Sequence, residues 1–264
     1  MQPQAVLLSA FSSLAVPFGY ERSCKLTART LNQDRFLLTQ HKNCFGSDSL
    51  TSLLGLAGDL EMPSEGLGWI QSRFDKAELV HLGYENERGE PLCKLYLEYP
   101  YPATASEGVN SSKGFLLHQA IKWYPNSNRH LITDYRCLPS LSKKRLFSFV
   151  EQCLGPSGRL QSLWVKTLLE RVCKSELPMI LDVSEPESVR RSFDINLYDF
   201  SIRIGELKVL LEELFQSFLI PTESVDLFFE QNYGCVLGHV SGGINRTGEP
   251  FITLYFGVEE RCGK

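Results

Sequence analysis

Two stretches far apart in the chain carry nearly the same pattern. His81-LGYENERGEPLCKLYLEY-Pro100 and His239-VSGGINRTGEPFITLYFG-Val258 each place a Gly-Glu-Pro triplet a few residues ahead of Leu-Tyr. Gly and Asn between two apolar runs are turn residues, so each stretch reads as a β-hairpin. A repeated hairpin must pair its strands with its copies or leave unpaired edges, which constrains the fold more than any other feature. Three further segments fit the unit. Ser23–Thr30 and Arg35–His41 flank Leu31-Asn-Gln-Asp, Phe115–Tyr124 and Arg129–Cys137 flank Pro125-Asn-Ser-Asn, and Pro178–Val183 and Arg191–Phe200 flank Ser184-Glu-Pro-Glu-Ser. That makes five hairpins, or ten strands.

Helical periodicity falls between most hairpins: Ser49–Leu56, Gly66–Lys76, Lys143–Cys153, Leu160–Cys173, Glu206–Phe218 and Ser224–Gln231. Leu160, Leu163, Trp164, Thr167, Leu168 and Val172 recur at helical spacing and are expected to face the core. Hairpins interleaved with helices predict an α+β protein: a closed ten-stranded antiparallel β-barrel of αββα-like units, ringed by helices. Ten strands make a barrel too wide for side chains to fill, so it should enclose a cavity. An open two-layer α+β sheet is the structural alternative.

With 43% apolar and 22% charged residues, the chain can bury enough surface to fold, and residues 1–264 read as one barrel domain. The net charge of −4 argues against a general nucleic-acid binder, which needs a basic face. No apolar run reaches the roughly 18–20 residues of a membrane helix. Ala5–Val16 resembles a signal-peptide core, but the first basic side chain is Arg22, so a buried N-terminal helix is the better reading. Eight cysteines lie at irregular gaps with no CxxC pair, which suits reduced thiols in a cytoplasmic protein rather than a zinc site or a disulfide framework. Asn110 and Asn245 match glycosylation sequons, which mean little without a secretion signal, and Asn110–Gly114 reads as a loop.

The second strands of the hairpins share a triplet: Lys94-Leu-Tyr96, Thr133-Asp-Tyr135, Asn196-Leu-Tyr198 and Thr253-Leu-Tyr255, with Arg35-Phe-Leu37 in the first. Period-two alternation puts the polar and tyrosine positions on one face and Leu95, Leu97, Leu197, Leu254 and Phe256 on the other. The leucine face suits packing against helices, so the Lys/Tyr face should line the interior. Lys94 and Arg35 there suit an anionic ligand, and tyrosine π faces stabilise a cation by roughly 0.5–2 kcal/mol each. A single tyrosine is more often a packing residue; four in equivalent positions make the functional reading competitive. Glu21, Ser23 and Lys25 share a strand face, although periodicity alone reads Glu21 as an exposed turn residue after Gly19-Tyr20.

These residues give the chain a family likeness. It resembles the ABBA-type prenyltransferases, most closely the cyanobactin peptide prenyltransferases. The sharpest part is Glu21-Arg-Ser-Cys-Lys25 followed by Arg35-Phe-Leu-Leu38. The resemblance implies a ten-stranded barrel that moves an isoprenyl group from dimethylallyl or geranyl diphosphate to a side chain of a cyclic peptide. It implies Glu21 as base and Arg35 and Lys94 as diphosphate ligands, with Lys25 and Lys122 as further ones. Tyr96, Tyr135, Tyr198 and Tyr255 would be a cation shield, and Mg²⁺ would sit on the diphosphate. Glu98 shares the Lys94/Tyr96 face, with Asp182 nearby and Asp134 turned outward by alternation. This acidity favours an Arg guanidine acceptor, with Glu98 assisting catalysis; a salt bridge to Lys94 or a solvated rim is its bland reading. Tyr or Trp acceptors, and a non-catalytic barrel binding a peptide or lipophile, are the alternatives.

Other chemistries fit worse. Gly155-Pro-Ser-Gly158 is no nucleophile elbow, Gly242-Gly243 reads as a hairpin turn, and no DDxxD motif is present. The histidines at 41, 81, 118, 130 and 239 lack metal-ligand spacing; His118 and His239 are candidates to line the barrel, though structural histidines are commoner.

Overall fold

The computed structural model describes residues 2–87, 89–102, 114–139, 141–173, 176–186, 188 and 190–262. All five expected hairpins form: β1 (Phe18–Thr27) with β3 (Arg35–His41), β4 (Leu79–Glu87) with β5 (Glu90–Glu98), β6 (Phe115–Trp123) with β7 (His130–Cys137), β8 (Ile180–Ser184) with β9 (Arg191–Asn196), and β10 (Leu237–Ile244) with β11 (Pro250–Arg261). Each hairpin pairs antiparallel with the next, and β11 returns to β1, so the ten strands close into a barrel. The open-sheet alternative is thereby excluded. A three-residue strand, β2 (Thr30–Asn32), lies where a turn was expected and doubles back on the end of β1.

The Gly-Glu-Pro triplets lie where the repeat put them. Gly89 and Gly248 have φ of +92° and +82°, a left-handed conformation that glycine adopts without steric cost, and each precedes the strand that carries the tyrosine. Two boundaries differ from expectation. Strand β1 starts at Phe18, which draws Glu21 out of the supposed turn and into the barrel wall. Strand β9 stops at Asn196, because its side-chain carbonyl accepts a hydrogen bond from Tyr198 N at 3.1 Å and the chain turns into a short 3₁₀ segment, Tyr198–Phe200. Gly242 and Gly243 lie within β10, with the turn beyond them, so the turn reading of that pair is also corrected.

Helices cover the outer, leucine-bearing face of the barrel in two groups. In the first, α1 (Pro3–Ser12), α2 (Ser49–Asp59) and α3 (Ser64–Gln71) bury Leu7, Phe11, Leu53, Trp69 and Ile70 against Phe36, Leu82, Leu95, Leu97 and Trp123 of β3–β6. In the second, α4 (Lys143–Leu154), α5 (Arg159–Val172), α6 (Lys208–Ser217) and α7 (Thr222–Asn232) bury Leu146, Trp164, Leu211 and Phe228 against Phe193, Ile195, Ile252, Leu254 and Phe256 of β9 and β11. One buried tryptophan in each group donates its indole N–H to a backbone carbonyl: Trp123 to Leu60 at 2.9 Å and Trp164 to Leu210 at 2.6 Å. The stripe on α5 is shifted from the expected one. Trp164, Val165, Leu168 and Leu169 are buried, while Leu160 and Leu163 stay 62% and 61% exposed.

All eight cysteines are free thiols. Among the described residues, no helix is long and apolar enough to cross a membrane. Of the loop expected at Asn110–Gly114, residues 110–113 lie outside the described residues.

Candidate active site

The five hairpin turns gather at one end of the barrel, and a cavity of about 1020 Å³ opens there. Inward positions of β1, β3, β5 and β6 bring Lys25, Arg35, Lys94 and Lys122 into it. Alternation explains the grouping: Lys94 stands opposite Lys122 across β5–β6 and opposite Gly83 across β4–β5, where the missing side chain leaves room. These cations do not face one another bare. Glu85, opposite Arg35 in the β3–β4 ladder, takes Lys94 Nζ at 2.5 Å, Lys25 Nζ at 3.3 Å and Arg35 Nη2 at 3.4 Å. Burial alone would raise the Glu85 pKa, but Arg35, Lys94 and Lys25 outweigh it and hold the carboxyl well below its usual range. Lys122 has no ion-pair partner among the described residues. Burial, with Lys94 close by, brings its pKa down to about 7. Burial likewise brings Lys94 down to about 8, against the pull of Glu85. Two buried polar atoms of this chamber, Arg35 Nε and Thr133 Oγ1, have no hydrogen-bond partner. In a folded protein such atoms mark where a ligand or water belongs.

The inner end of the cavity is a layer of tyrosines. Tyr96 and Tyr135 stand with ring centroids 5.6 Å apart, and Tyr255 comes from β11. Burial pushes the Tyr96 hydroxyl up to about 12, so it stays protonated and the layer stays uncharged.

Beyond the tyrosines lies a second layer, acidic and imidazole-rich. Glu21 is 8% exposed and accepts a hydrogen bond from the Tyr198 hydroxyl. It shares the inward face of β1 with Ser23 and Lys25, and pairs in an unbroken ladder with Leu37 of β3; where the β1–β11 register slips beside it, the extra residue lies on β11. Burial raises its pKa, against the opposing effects of His239 and the Tyr198 bond. Tyr198 reaches Glu21 although it has left the strand, because Gly238 makes way for it: a Cβ there would lie 2.4 Å from the phenol ring. His239 Nδ1 is 2.8 Å from Asp194 Oδ1, and His81 Nε2 is 2.8 Å from Glu98 Oε2. Burial works against charge on His239, but Asp194, with Glu21 and Glu98, outweighs it and raises the pKa.

The expected residues thus divide between the layers. Lys25, Arg35, Lys94 and Lys122 share the cavity, Tyr96, Tyr135 and Tyr255 close it, and Glu21, Glu98 and Tyr198 lie beyond. Glu98 bonds His81 and not Lys94, which belongs to Glu85. Asp182 faces outward, bonded to Arg191 at 2.5 and 2.6 Å, and Asp134 is also outside, accepting from Gln119 at 2.8 Å. Sequence reading missed Glu85, His81 and Asp194. Their signal was the same alternation, read along the first strand β4 for Glu85 and His81 and two residues before Asn196 on the second strand β9 for Asp194.

No protein-family profile matches the chain, and no curated protein matches it in sequence. Solved structures match it in shape. PriB, in a binary complex with product diphosphate, superposes with a TM-score of 0.66 at 12% identity, covering 96% of this chain and 88% of that one. A 6-dimethylallyltryptophan synthase from Micromonospora olivasterospora, in complex with DMASPP and Trp, gives 0.59 at 12% identity over 90% and 81%. The NotF prenyltransferase gives 0.54 at 11% identity over 90% and 80%. At these identities the likeness speaks for architecture, and it is specific: the chain has the closed ten-stranded, helix-ringed barrel of the ABBA prenyltransferases.

Proposed function

We propose that the protein is a prenyltransferase that moves an isoprenyl group from dimethylallyl, or geranyl, diphosphate to an Arg guanidine of a cyclic peptide. The observation that carries this reading is the order of layers: buried cations, then tyrosines, then a buried carboxylate with a raised pKa. The solved relatives add that barrels of this shape hold a product diphosphate or a DMASPP–Trp pair. In this chain Arg35, Lys94, Lys25 and Lys122 would take the diphosphate oxygens by charge-assisted hydrogen bonds, and the orphaned Arg35 Nε gains a partner. As the allylic carbon–oxygen bond breaks, its electron pair leaves with the diphosphate. The carbocation then faces Tyr96, Tyr135 and Tyr255, whose rings stabilise it and keep water away.

A guanidine nitrogen reaching up from the second layer attacks the cation, and its proton passes to Glu21. Burial raises the Glu21 pKa and so makes it a stronger base than a free carboxylate. The acidity of Glu98 and Asp194 favours a cationic acceptor over a phenol or indole. Val183 lines the cavity beside Tyr135, with Leu117 and Leu181 in the same buried cluster, and this apolar wall favours the five-carbon donor. Among the described residues the chamber holds no group of three metal-ligating side chains, and Glu85, Glu87 and Glu185 are each held by Lys or Arg. Mg²⁺ would therefore be held by the oxygens of the donor and would help neutralise the leaving diphosphate.

The test is incubation with each donor and with cyclic peptides containing Arg, Tyr or Trp, read by mass. A gain of one isoprenyl unit on the Arg peptide is expected. Glu21→Gln should lose about 10²–10⁴ in turnover while still binding diphosphate, and Arg35→Ala should lose diphosphate binding itself. Labelling of Tyr or Trp alone would overturn the guanidine reading. Diphosphate binding without any transfer would leave a binding barrel.

A further inference from the structure

Three adjacent strands bring two imidazoles and a carboxylate together on the inner wall, away from the donor cavity. Glu98 of β5 stands opposite His118 of β6 and diagonal to His81 of β4, which pairs with Tyr96. Glu98 Oε2 lies 2.8 Å from His81 Nε2 and 3.6 Å from His118 Nδ1. The three donor atoms all fall within 4.8 Å of one another. Donors around a tetrahedral ion at about 2.0–2.2 Å stand roughly 3.4 Å apart, so small side-chain rotations close the set.

The surroundings favour coordination. His81 Nδ1 is 2.8 Å from Thr39 Oγ1, the outer contact that fixes the ring orientation and tautomer of a ligating histidine. His118 has no hydrogen bond among the described residues; the Glu98 oxygen lies 3.6 Å from its Nδ1, beyond bonding range. Side-chain exposures of 12% for His81, 18% for His118 and 27% for Glu98 leave the group shielded yet reachable from inside the barrel. Glu21 and Asp194 add negative charge to the same layer.

We infer that His81, Glu98 and His118 form an open three-ligand site for a divalent transition metal of the zinc class, with a fourth position left for water or an acceptor atom. Two nitrogens and one carboxylate suit zinc, cobalt or nickel and disfavour Mg²⁺, which takes oxygen ligands. The metal takes the lone pair of His81 Nε2, and the single ring proton of the neutral imidazole then sits on Nδ1, where it donates to Thr39 Oγ1. The inference concerns metal binding and not turnover, and its readout needs neither donor nor acceptor; a bound cation would offset the charge of Glu98 and leave Asp194 as the inner anion that faces an acceptor.

The test titrates the chelator-treated full chain with Co²⁺ and reads visible d–d absorption. One equivalent should bind, with Zn²⁺ displacing it and excess Mg²⁺ leaving it in place. His118→Ala and His81→Ala should abolish the spectrum, Thr39→Val should weaken binding about 10-fold, and His239→Ala should leave it unchanged. Circular dichroism separates lost binding from lost fold; where one histidine variant unfolds, the other and Thr39→Val carry the test. No d–d absorption in the folded wild-type chain would overturn the proposal. So would a spectrum that survives in both histidine variants, or thiolate-to-metal charge transfer, which would put the metal on cysteine.

Discussion

On the turn side of the tyrosines, one carboxylate, Glu85, is shared by Lys25, Arg35 and Lys94. On the far side, Glu21, Glu98 and Asp194 are each held by a single softer partner: Tyr198, His81 and His239. Both regions are buried polar clusters in one barrel, yet they differ in how their charge is set. The donor side gathers cations around a common counter-ion that stays ionised, so an anion-binding field is in place before any ligand arrives. The far side is built of carboxylates and imidazoles that pair with one another. Surplus cations suit binding an anion; paired carboxylates and imidazoles suit taking a proton from an acceptor or binding a metal.

The sharpest way to break this contrast is to remove the shared anion. Glu85→Gln leaves Lys25, Arg35 and Lys94 buried against one another, and breaking a buried charge cluster from one side costs about 3–5 kcal/mol. Urea unfolding should show a loss of that size. Inorganic pyrophosphate should restore part of it, because a ligand that binds only the folded state stabilises it in proportion to the logarithm of its concentration. A loss below about 1 kcal/mol would mean the three cations are solvated and need no internal counter-ion. Glu21→Gln should behave oppositely: turnover lost, stability little changed, no response to pyrophosphate beyond that of the wild type.

The next expected effect is about 10-fold and depends on pH. Lys122, brought down to about 7, loses its proton across neutral pH in the free protein, and Lys94 follows at about 8. Diphosphate binds the charged ammonium, so donor affinity should fall as pH rises through 7 and 8. Folding stability should move the other way. The unfolded chain keeps the ordinary, higher lysine pKa and binds the proton more tightly, so unliganded stability rises with pH from about 7 upward. Lys122→Met should flatten both profiles and weaken diphosphate binding about 10-fold below pH 7, the loss of one charge-assisted hydrogen bond. Calorimetric titration with pyrophosphate at several pH values reads it directly.

How much of this was legible follows from which physical rules act locally. The hairpins announced themselves because Gly89 and Gly248 supply left-handed turn residues and period-two alternation is strict in a barrel wall. The inward placement of Lys94, Tyr96, Tyr135 and Tyr255 came from the same rule. Glu21 was missed because β1 starts at Phe18, earlier than the pattern showed, and Tyr198 because it reaches the interior from a 3₁₀ turn through space that Gly238 leaves open. The pairing of Glu85 with Arg35, Lys94 and Lys25 depends on register across four strands, which no window of sequence contains. The same holds for His81, Glu98 and His118. Their spacing along the chain suggests no metal site, yet adjacent strands place them within reach of one ion.

The smallest effect is the most useful control on the acceptor reading. Asp182 and Asp194 belong to one hairpin, and Asp194 stands inside beside His239 while Asp182 stands outside beside Arg191. If the acceptor is chosen by charge inside the barrel, only the inner one matters. Asp182→Asn breaks an ion pair whose arginine is 47% exposed, so water screens it and it should cost no more than about 1 kcal/mol. The acceptor KM should not move. Asp194→Asn removes an inner carboxylate and frees His239, and the KM for an Arg-containing peptide should rise, with a Tyr-containing peptide less affected. Equal responses to the two substitutions would show that the acceptor reads the overall charge of the barrel and not the layer beneath the tyrosines. An unequal pair, with Asp182 silent, ties acceptor choice to the inner wall, where strand alternation alone decides which aspartate the substrate meets.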